Sequence, residues 1–193
     1  MIITLVALVL LLIAVAAVVR TVDNSTTAIG NLAFRRDLTN RAELAIAKAK
    51  AALNSGGALY SDTARSADAV ASNYSATQLA APSGGIGVPA VLVSNTAYNT
   101  KGYTCIDGSG ATLTGCTMGA DGIVIRWVID RQCLAGATTF DTGYCEYLPE
   151  KPDPDGNDHT PNKPKGAARP VFRISVRVTG PRNTEAYIQT TAG

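Results

Sequence analysis

The residues of this sequence with the clearest chemistry are its four cysteines, Cys105, Cys116, Cys133 and Cys145, all in the C-terminal half. An even number of cysteines in a translocated domain is typical of disulfide bonds. Three pairings are possible, and we favour Cys105–Cys116 with Cys133–Cys145 because each closes a short loop that contains turn residues. A zinc site would need closely spaced C-x2-C pairs, which neither spacing provides.

A second group of side chains could in principle bind a metal ion. Four oxygen-bearing side chains fall in one polar, proline-rich stretch: Asp153, Asp155, Asn157 and Asp158. Oxygens at alternate positions are typical of calcium loops. The stretch lacks the distal glutamate of an EF-hand, and lysines flank it at positions 151, 163 and 165. We therefore expect a solvated loop rather than a calcium site, and calorimetry with calcium distinguishes the two.

The sequence offers no arrangement of residues for catalysis. His159 is the only histidine, and no serine or cysteine nucleophile can be assigned to it from the sequence. No phosphate-binding loop, dinucleotide fingerprint or metalloprotease motif is present. We therefore expect a protein that is not an enzyme and that needs no cofactor.

Basic side chains concentrate toward the end of the chain. They are Lys163, Lys165, Arg169, Arg173, Arg177 and Arg182. Such a cluster could form a face for DNA or another anionic surface. A solvated sheet face, whose charges oppose edge-to-edge aggregation, is the commoner arrangement. Because the net charge of the chain is only +2, we expect the solvated face and no DNA partner.

The element that precedes all these residues is an apolar run at residues 1–19. Thr4 is its only polar side chain, and Arg20 is the first charge. The run is long enough to span the hydrocarbon core of a bilayer as a helix. A cleaved signal peptide would have basic residues before the apolar run and an A-x-A cleavage site after it, and neither is present here. The simplest interpretation is a single-pass N-terminal anchor.

The helical pattern resumes after a polar interval. Residues 23–27 have poor helix propensity, so a locally loosened helix is expected there. From residue 32 to residue 53 apolar side chains recur in steps of three and four: Leu38, Ala42, Ala45 or Ile46, Ala49 and Leu53. Asn54, Ser55, Gly56 and Gly57 then give a helix stop. This second part of the helix is amphipathic and suited to packing beneath a globular domain.

The remainder of the chain predicts a sheet. Residues 61–80 suggest a short helix, and residues 88–93 suggest an edge strand that contains Pro89. Residues 122–130 read as a central strand because both of its faces are apolar. Residues 171–179 alternate strongly and pair through a turn at 180–183 with a last strand at 184–190.

These elements predict an α+β fold, in which a long N-terminal helix packs on a C-terminal antiparallel sheet. We divide the chain into a hydrophobic assembly or transmembrane helix, 1–31, and a globular domain, 32–193. The globular domain comprises the amphipathic helix 32–53, a mixed helix, strand and loop region 54–121, and the sheet and disulfide region 122–193.

At residue level the chain resembles type IV pilins and the pseudopilins of type II secretion, and it is most similar to PilX-type minor pilins. The resemblance is carried by VRTVD at 19–23, IGNLAFR at 29–35, IRWVIDRQC at 125–133 and FRISVRVTGPRNT at 172–184. These stretches span both ends of the chain. The fold that the resemblance implies is the pilin ladle.

The resemblance implies a precursor whose short basic leader is cut by prepilin peptidase, leaving Met1 as an N-methylated mature end. It also implies filament assembly through the N-terminal helix, with these residues at the contacts: Met1, Leu5, Leu8, Leu12, Val15 and Val19. Major pilins usually have glutamate at position 5, where its carboxylate pairs with a neighbour's N-terminal amine. Leu5 departs from that pattern, as in some minor pilins and tip pseudopilins, and it favours a minor or initiating subunit.

The implied function is that of a structural subunit of a type IV pilus, either minor or the main filament subunit, supporting adhesion, twitching motility or DNA uptake. Its partners would be other pilin subunits and the pilus assembly machinery. Before assembly it would span the bacterial inner membrane once, and afterwards it would lie in the extracellular filament. Two alternatives stay open: a membrane-anchored binding protein of the cell envelope, and a secretion pseudopilin.

Overall fold

The computed structural model describes residues 2–82, 87–134, 144–148 and 169–193. The chain divides into two compact units, Met1–Leu38 and Thr39–Gly193. The helices are α1 (Ile2–Leu53), α2 (Asp62–Arg65), α3 (Ala90–Val93) and α4 (Asn95–Thr100). The strands are β1 (Tyr74–Ser75), β2 (Cys105–Ile106), β3 (Thr112–Leu113), β4 (Val124–Arg131), β5 (Tyr147–Leu148), β6 (Arg169–Pro170), β7 (Phe172–Thr179) and β8 (Glu185–Ala192). An apolar N-terminal helix and a mainly antiparallel C-terminal sheet confirm the α+β class.

The polar interval of α1 is helical throughout, so the expected loosening at residues 23–27 is wrong for this structure. Two threonine hydroxyls, one just before the interval and one within it, donate back along the helix. Thr21 Oγ1 donates to the carbonyl oxygen of Ala17 at 3.0 Å, and Thr26 Oγ1 donates to that of Val22 at 2.7 Å. Side chains that bond in this way do not compete for the helical N–H groups.

The helix α1 ends at Leu53, as predicted. The chain then turns back so closely that a side chain at Gly57 would place its Cβ 2.3 Å from the carbonyl oxygen of Ala51. Arg65 completes the end of the helix, because its Nη2 donates to the carbonyl oxygen of Leu53 at 2.9 Å. Carbonyl groups that have no partner within the helix are satisfied in this way.

The apolar stripe of α1 is buried within the unit Thr39–Gly193. Its members there are Ala42, Ala45, Ile46, Ala49 and Leu53. Both Ala45 and Ile46, between which the sequence did not decide, belong to the core. The amphipathic interpretation of this part of the helix is therefore confirmed.

The main sheet has the strand order β3-β2-β4-β7-β8, and β1 pairs in parallel with one end of β4. The predicted central strand is confirmed as β4, in which all eight residues are buried. It pairs antiparallel with β7 from Val124 opposite Thr179 to Arg131 opposite Phe172. The predicted final hairpin is also present, since β7 pairs along its whole length with β8. A separate small sheet joins β5 to β6.

The two faces of the β4–β7 pair differ in chemistry. One face presents Ile125, Trp127 and Ile129 of β4 beside the alternate apolar residues of β7 that begin with Phe172. The guanidinium of Arg65, which holds the end of α1, lies 5.1 Å from the centre of the Phe172 ring. The end of the helix is therefore fastened to the apolar face of the sheet.

The opposite face carries polar and charged residues, yet it is also covered. Val124 and Val128 of this face form a core cluster with Leu92, Tyr98 and Tyr103. The covering elements are α3, α4 and the segment that follows them. The sequence did not predict this second layer.

Of two predicted elements between α1 and the sheet, one is shorter than expected and the other is wrong. Residues 61–80 form only α2, a single 3-10 turn (Val70–Ser72) and β1. Residues 88–93 contain the helix α3 rather than an edge strand. Proline has no N–H for a strand ladder and a φ angle that suits the start of a helix, and Pro89 immediately precedes the first residue of α3.

Asn73 explains why the chain turns before β1. It is fully buried and adopts a left-handed conformation with φ 52°. Its Oδ1 accepts from the backbone N–H of Thr104 at 2.7 Å, and its Nδ2 donates to the carbonyl oxygen of Trp127 at 3.0 Å. The Tyr98 hydroxyl donates to the carbonyl oxygen of Thr104 at 2.6 Å. These bonds satisfy buried polar groups where no regular ladder can do so.

Both predicted disulfides are present. Cys105–Cys116 joins β2 to the 3-10 turn Thr114–Cys116, and Cys133–Cys145 follows directly on β4. The pairing favoured from the sequence is confirmed. Each bond restricts the unfolded chain by closing a loop of about a dozen residues.

Buried tyrosines make the fold sensitive to alkali. Burial raises the pKa of Tyr74 to about 12, and burial also raises the pKa of Tyr98. In the unfolded chain a tyrosine ionises near pH 10, so the unfolded state releases its protons first. The stabilisation is complete below about pH 10 and is lost as the pH rises toward 12.

We predict that the free energy of unfolding falls between pH 10 and pH 12 by up to about 1.4 kcal/mol per pH unit for each such tyrosine. Urea unfolding of the full chain in detergent at a series of pH values measures this slope. Tyr74→Phe should make the slope shallower, whereas Tyr144→Phe at an exposed position should leave it unchanged. Equal slopes in Tyr74→Phe and wild type would contradict the assignment.

Candidate functional site

The candidate functional site is the apolar first part of α1. Within the part of the chain that the structure describes, Ile2–Val22 is the one helical segment long and apolar enough to span a membrane. Five of the six predicted assembly residues are described, and all five are exposed: Leu5, Leu8, Leu12, Val15 and Val19, at 52–66%. Met1, the sixth and the predicted N-methylation site, lies outside the described residues.

These five residues form one stripe along the helix, because they are separated by alternating steps of three and four. Leaving a large apolar side chain in water costs about 1.5–3 kcal/mol relative to burial. A whole helix of such side chains must therefore be covered, by lipid or by other helices. Small residues at Ala7, Ala14 and Ala17 allow close approach of a second helix.

The stripe continues beyond the membrane-length segment. The next positions in the same alternation are Val22, Thr26 and Ile29, and Ile29 is 67% exposed. The Thr26 hydroxyl donates to the carbonyl oxygen of Val22, so it does not need a hydrogen-bond partner outside the helix. From Leu5 to Ile29 there are 24 residue steps, or about 36 Å of helix, against about 30 Å for a hydrocarbon core.

The expected solvated basic face is wrong for Arg173 and Arg177. Arg173 forms a two-point ion pair with Asp130, with Nε to Oδ1 at 3.0 Å and Nη2 to Oδ2 at 2.6 Å. Arg177 is buried and donates to the carbonyl oxygens of Leu92 and Val93 at the end of α3. Arg182 alone of the three is exposed, in the turn between β7 and β8. Both strand arginines therefore hold the covering layer onto the sheet.

A buried pair of arginines was missed from the sequence. Arg126 of β4 lies directly opposite Arg177 of β7, and each is 4% exposed. Arg126 donates to the carbonyl oxygen of Cys116 at 2.8 Å and lies over the ring of Tyr98. Burial, and then the charge of Arg177, lowers the pKa of Arg126. The sequence did contain one indication of this pair, because Arg126 lies in the middle of an otherwise apolar strand.

One carboxylate compensates this pair. Glu185 of β8 accepts from Nη2 of Arg177, and its other oxygen accepts from the hydroxyl of Tyr187 at 2.7 Å. Burial, and then the bond to Glu185, raises the pKa of Tyr187 to about 12. Glu185 therefore ties the edge strand β8 to the arginine pair.

Several sequence predictions cannot be placed. The calcium candidates Asp153, Asp155, Asn157 and Asp158 lie outside the described residues, as do His159, Lys163 and Lys165. Among the residues that are described, no group of three or more His, Cys, Asp or Glu side chains could hold a metal ion.

The described features define an α+β protein with two disulfides and an exposed apolar N-terminal helix that could anchor it in a membrane. Comparisons with protein-family models, with curated proteins and with solved structures found no match to the chain. The function must therefore be argued from the chain's own residues.

We predict that Glu185→Gln lowers the free energy of unfolding by about 1–3 kcal/mol, because it leaves the buried guanidinium of Arg177 without its carboxylate. Urea unfolding of the full chain in detergent measures the change. Glu43→Gln, at an exposed position on α1, is the control and should stay within about 0.5 kcal/mol of wild type. Similar losses in both variants would show that Glu185 has no special role.

Proposed function

We propose that this protein is a structural subunit of a type IV pilus, with the ladle fold of pilins, and that it assembles through the apolar part of α1. Three features support the proposal: an apolar helix that becomes amphipathic, a sheet on a separate C-terminal unit, and disulfides near the end of the chain. The sequence stretches at 19–23, 29–35, 125–133 and 172–184 that resemble PilX-type minor pilins support it independently. No enzymatic activity is part of the proposal.

The observation that carries the proposal is the length of the exposed apolar stripe. A membrane anchor needs apolar side chains only across the hydrocarbon core, about 30 Å. The stripe from Leu5 to Ile29 covers 24 residue steps, or about 36 Å of helix. An alternation of three and four residues is the pattern by which helices pack against one another. Packing against neighbouring helices covers the whole stripe, whereas lipid covers only its first part.

In this mechanism the membrane holds the subunit before assembly. The assembly machinery, which other proteins supply, moves the helix from lipid into a bundle of neighbouring helices. Lipid and neighbouring helices are both apolar. The side chains of the segment therefore move from one apolar environment to another and are never exposed to water. The filament is then held together by side-chain packing along the helices.

Leu5 bears on which subunit this is. Without a carboxylate at this position the helix has no ionisable side chain before Arg20, and a neighbour's N-terminal amine would find no partner there. A buried charge without a partner is costly. The proposal is therefore a minor or initiating subunit, N-methylated at Met1, in filaments that serve adhesion, twitching motility or DNA uptake.

The second candidate is a single-pass, membrane-anchored binding protein of the cell envelope. The exposed apolar segment Ile2–Val22 supports it as well, since its length suits a bilayer. The third candidate is a secretion pseudopilin, which would also assemble through its N-terminal helix. Electron microscopy of the purified material for helical fibres separates the anchored protein from the two filament subunits.

We predict that Leu12→Asp or Val15→Asp abolishes filament formation, because a carboxylate in the middle of the stripe has no partner in a helix bundle. Fibre counts by electron microscopy measure the effect. Val93→Asp, at a partly exposed apolar position of the globular unit, is the control and should leave filaments unchanged. Normal filaments from both helix variants would contradict the assembly role.

A sharper test uses Ile29→Asp, which lies past the membrane-length segment. A membrane anchor tolerates this change, and a filament subunit does not, because only helix packing covers Ile29. We expect normal membrane insertion, measured by fractionation, together with at least a tenfold loss of fibres. Unchanged fibre numbers with normal insertion would favour the anchored binding protein instead.

A further inference from the structure

A cleft of about 580 Å³ lies in the unit Thr39–Gly193, between the last turn of α1, the loop after it and the ends of β7 and β8. This size is within the usual range for small-molecule sites. Its walls include the apolar side chains of Leu53 and Phe172, both buried. The assembly stripe of α1 takes no part in it, so the cleft is independent of filament formation.

Three charged side chains line the cleft. Two are basic, Lys50 and Arg65, and one is acidic, Asp62. Asp62 lies 3.9 Å from Nη1 of Arg65, in a largely exposed position. Lys50 is exposed and makes no ion pair with the part of the chain that the structure describes. One ammonium group is therefore available for a ligand that carries a single negative charge.

The uncharged groups of the cleft suit a ligand with several hydroxyls. Tyr60, an exposed residue, also lines the cleft. The amide of Asn54 and the hydroxyls of Ser55 and Ser61 lie along the same walls. An aromatic ring can cover the C–H face of a sugar ring, and amide and hydroxyl groups both donate and accept hydrogen bonds.

A peptide fits the cleft less well than a sugar. Recognition of an extended peptide draws on free backbone groups of the protein. Here the carbonyl oxygens of Leu53 and Leu59 accept from Arg65, and that of Ala52 accepts from the N–H of Leu59. These backbone carbonyls at the end of α1 are therefore already occupied, so a ligand at this wall of the cleft would be recognised by side chains.

We infer that this cleft binds an acidic pyranose, such as a hexuronic acid at the end of a glycan. The ligand's carboxylate pairs with the Lys50 ammonium, and its ring lies against Tyr60. The neighbouring amide and serine hydroxyls bond to the ring hydroxyls. Such a site gives the protein a means of recognising acidic polysaccharide surfaces.

Titration of the full chain in detergent micelles with glucuronic acid and with glucose, followed by saturation-transfer NMR and calorimetry, tests the inference. We expect saturable binding of glucuronate at millimolar concentrations and binding of glucose about tenfold weaker. Lys50→Gln should reduce the affinity for glucuronate about tenfold, and Tyr60→Ala should weaken both sugars. Lys48→Gln is the matched control, since Lys48 is exposed two residues earlier and does not line the cleft.

Three outcomes would overturn the inference: no saturable binding of glucuronate, equal affinity for glucuronate and glucose, or equal losses in Lys50→Gln and Lys48→Gln. Tighter binding of a glutamate-containing tripeptide than of glucuronate would also overturn it, in favour of a peptide site. Filament formation by Lys50→Gln should match wild type. Its failure would bear on the pilus proposal, whereas loss of sugar binding alone would not.

Discussion

The pairing of β4 with β7 is the interaction on which the globular unit depends. Eight consecutive residue pairs fix the register of the two strands, and strand alternation then sorts their side chains onto two faces. The apolar face begins the core to which the end of α1 is fastened. The charged face places Arg126, Arg173 and Arg177 where the short helices α3 and α4 can use them. A shift by one residue would exchange the two faces and bury the wrong set.

The sequence was sufficient wherever a period or a spacing decided the structure. Alternation of apolar residues predicted the two long strands, and a glycine pair predicted the end of α1 at Leu53. Short loops between cysteines predicted both disulfides. Each of these signals is local in the sequence. The layer over the charged face could not. It depends on Asn73 in a left-handed turn and on arginines that reach backbone carbonyls more than eighty residues away in the sequence. Such long-range contacts cannot be predicted from a local sequence pattern. Considered along one strand alone, the same arginines resemble a solvent-exposed face.

The candidate assembly helix shows the complementary limit. Composition alone identified residues 1–19 as apolar. Because such a helix has apolar side chains on every face, its sequence does not show which face packs against a neighbour. The structure adds that the helix continues unbroken through its polar interval, with Thr21 and Thr26 bonded back to it. Only that continuity makes Leu5 and Ile29 parts of one helix, along which positions seven residues apart shift by about 20° around the axis. The two residues lie on either side of the polar interval, and the apolar positions that they bound extend beyond the thickness of a hydrocarbon core.

Arg65 has a mechanical consequence. It holds the final carbonyl of α1 with one nitrogen and the following loop with another, while its planar group covers Phe172 at the start of β7. A pull on the last turn of α1 would therefore reach β7 through this side chain as well as through the buried residues of α1. The strand β7 is bonded on both edges and would share that force between two ladders. The end of α1 is thus tied to the most extensively paired strand of the unit Thr39–Gly193.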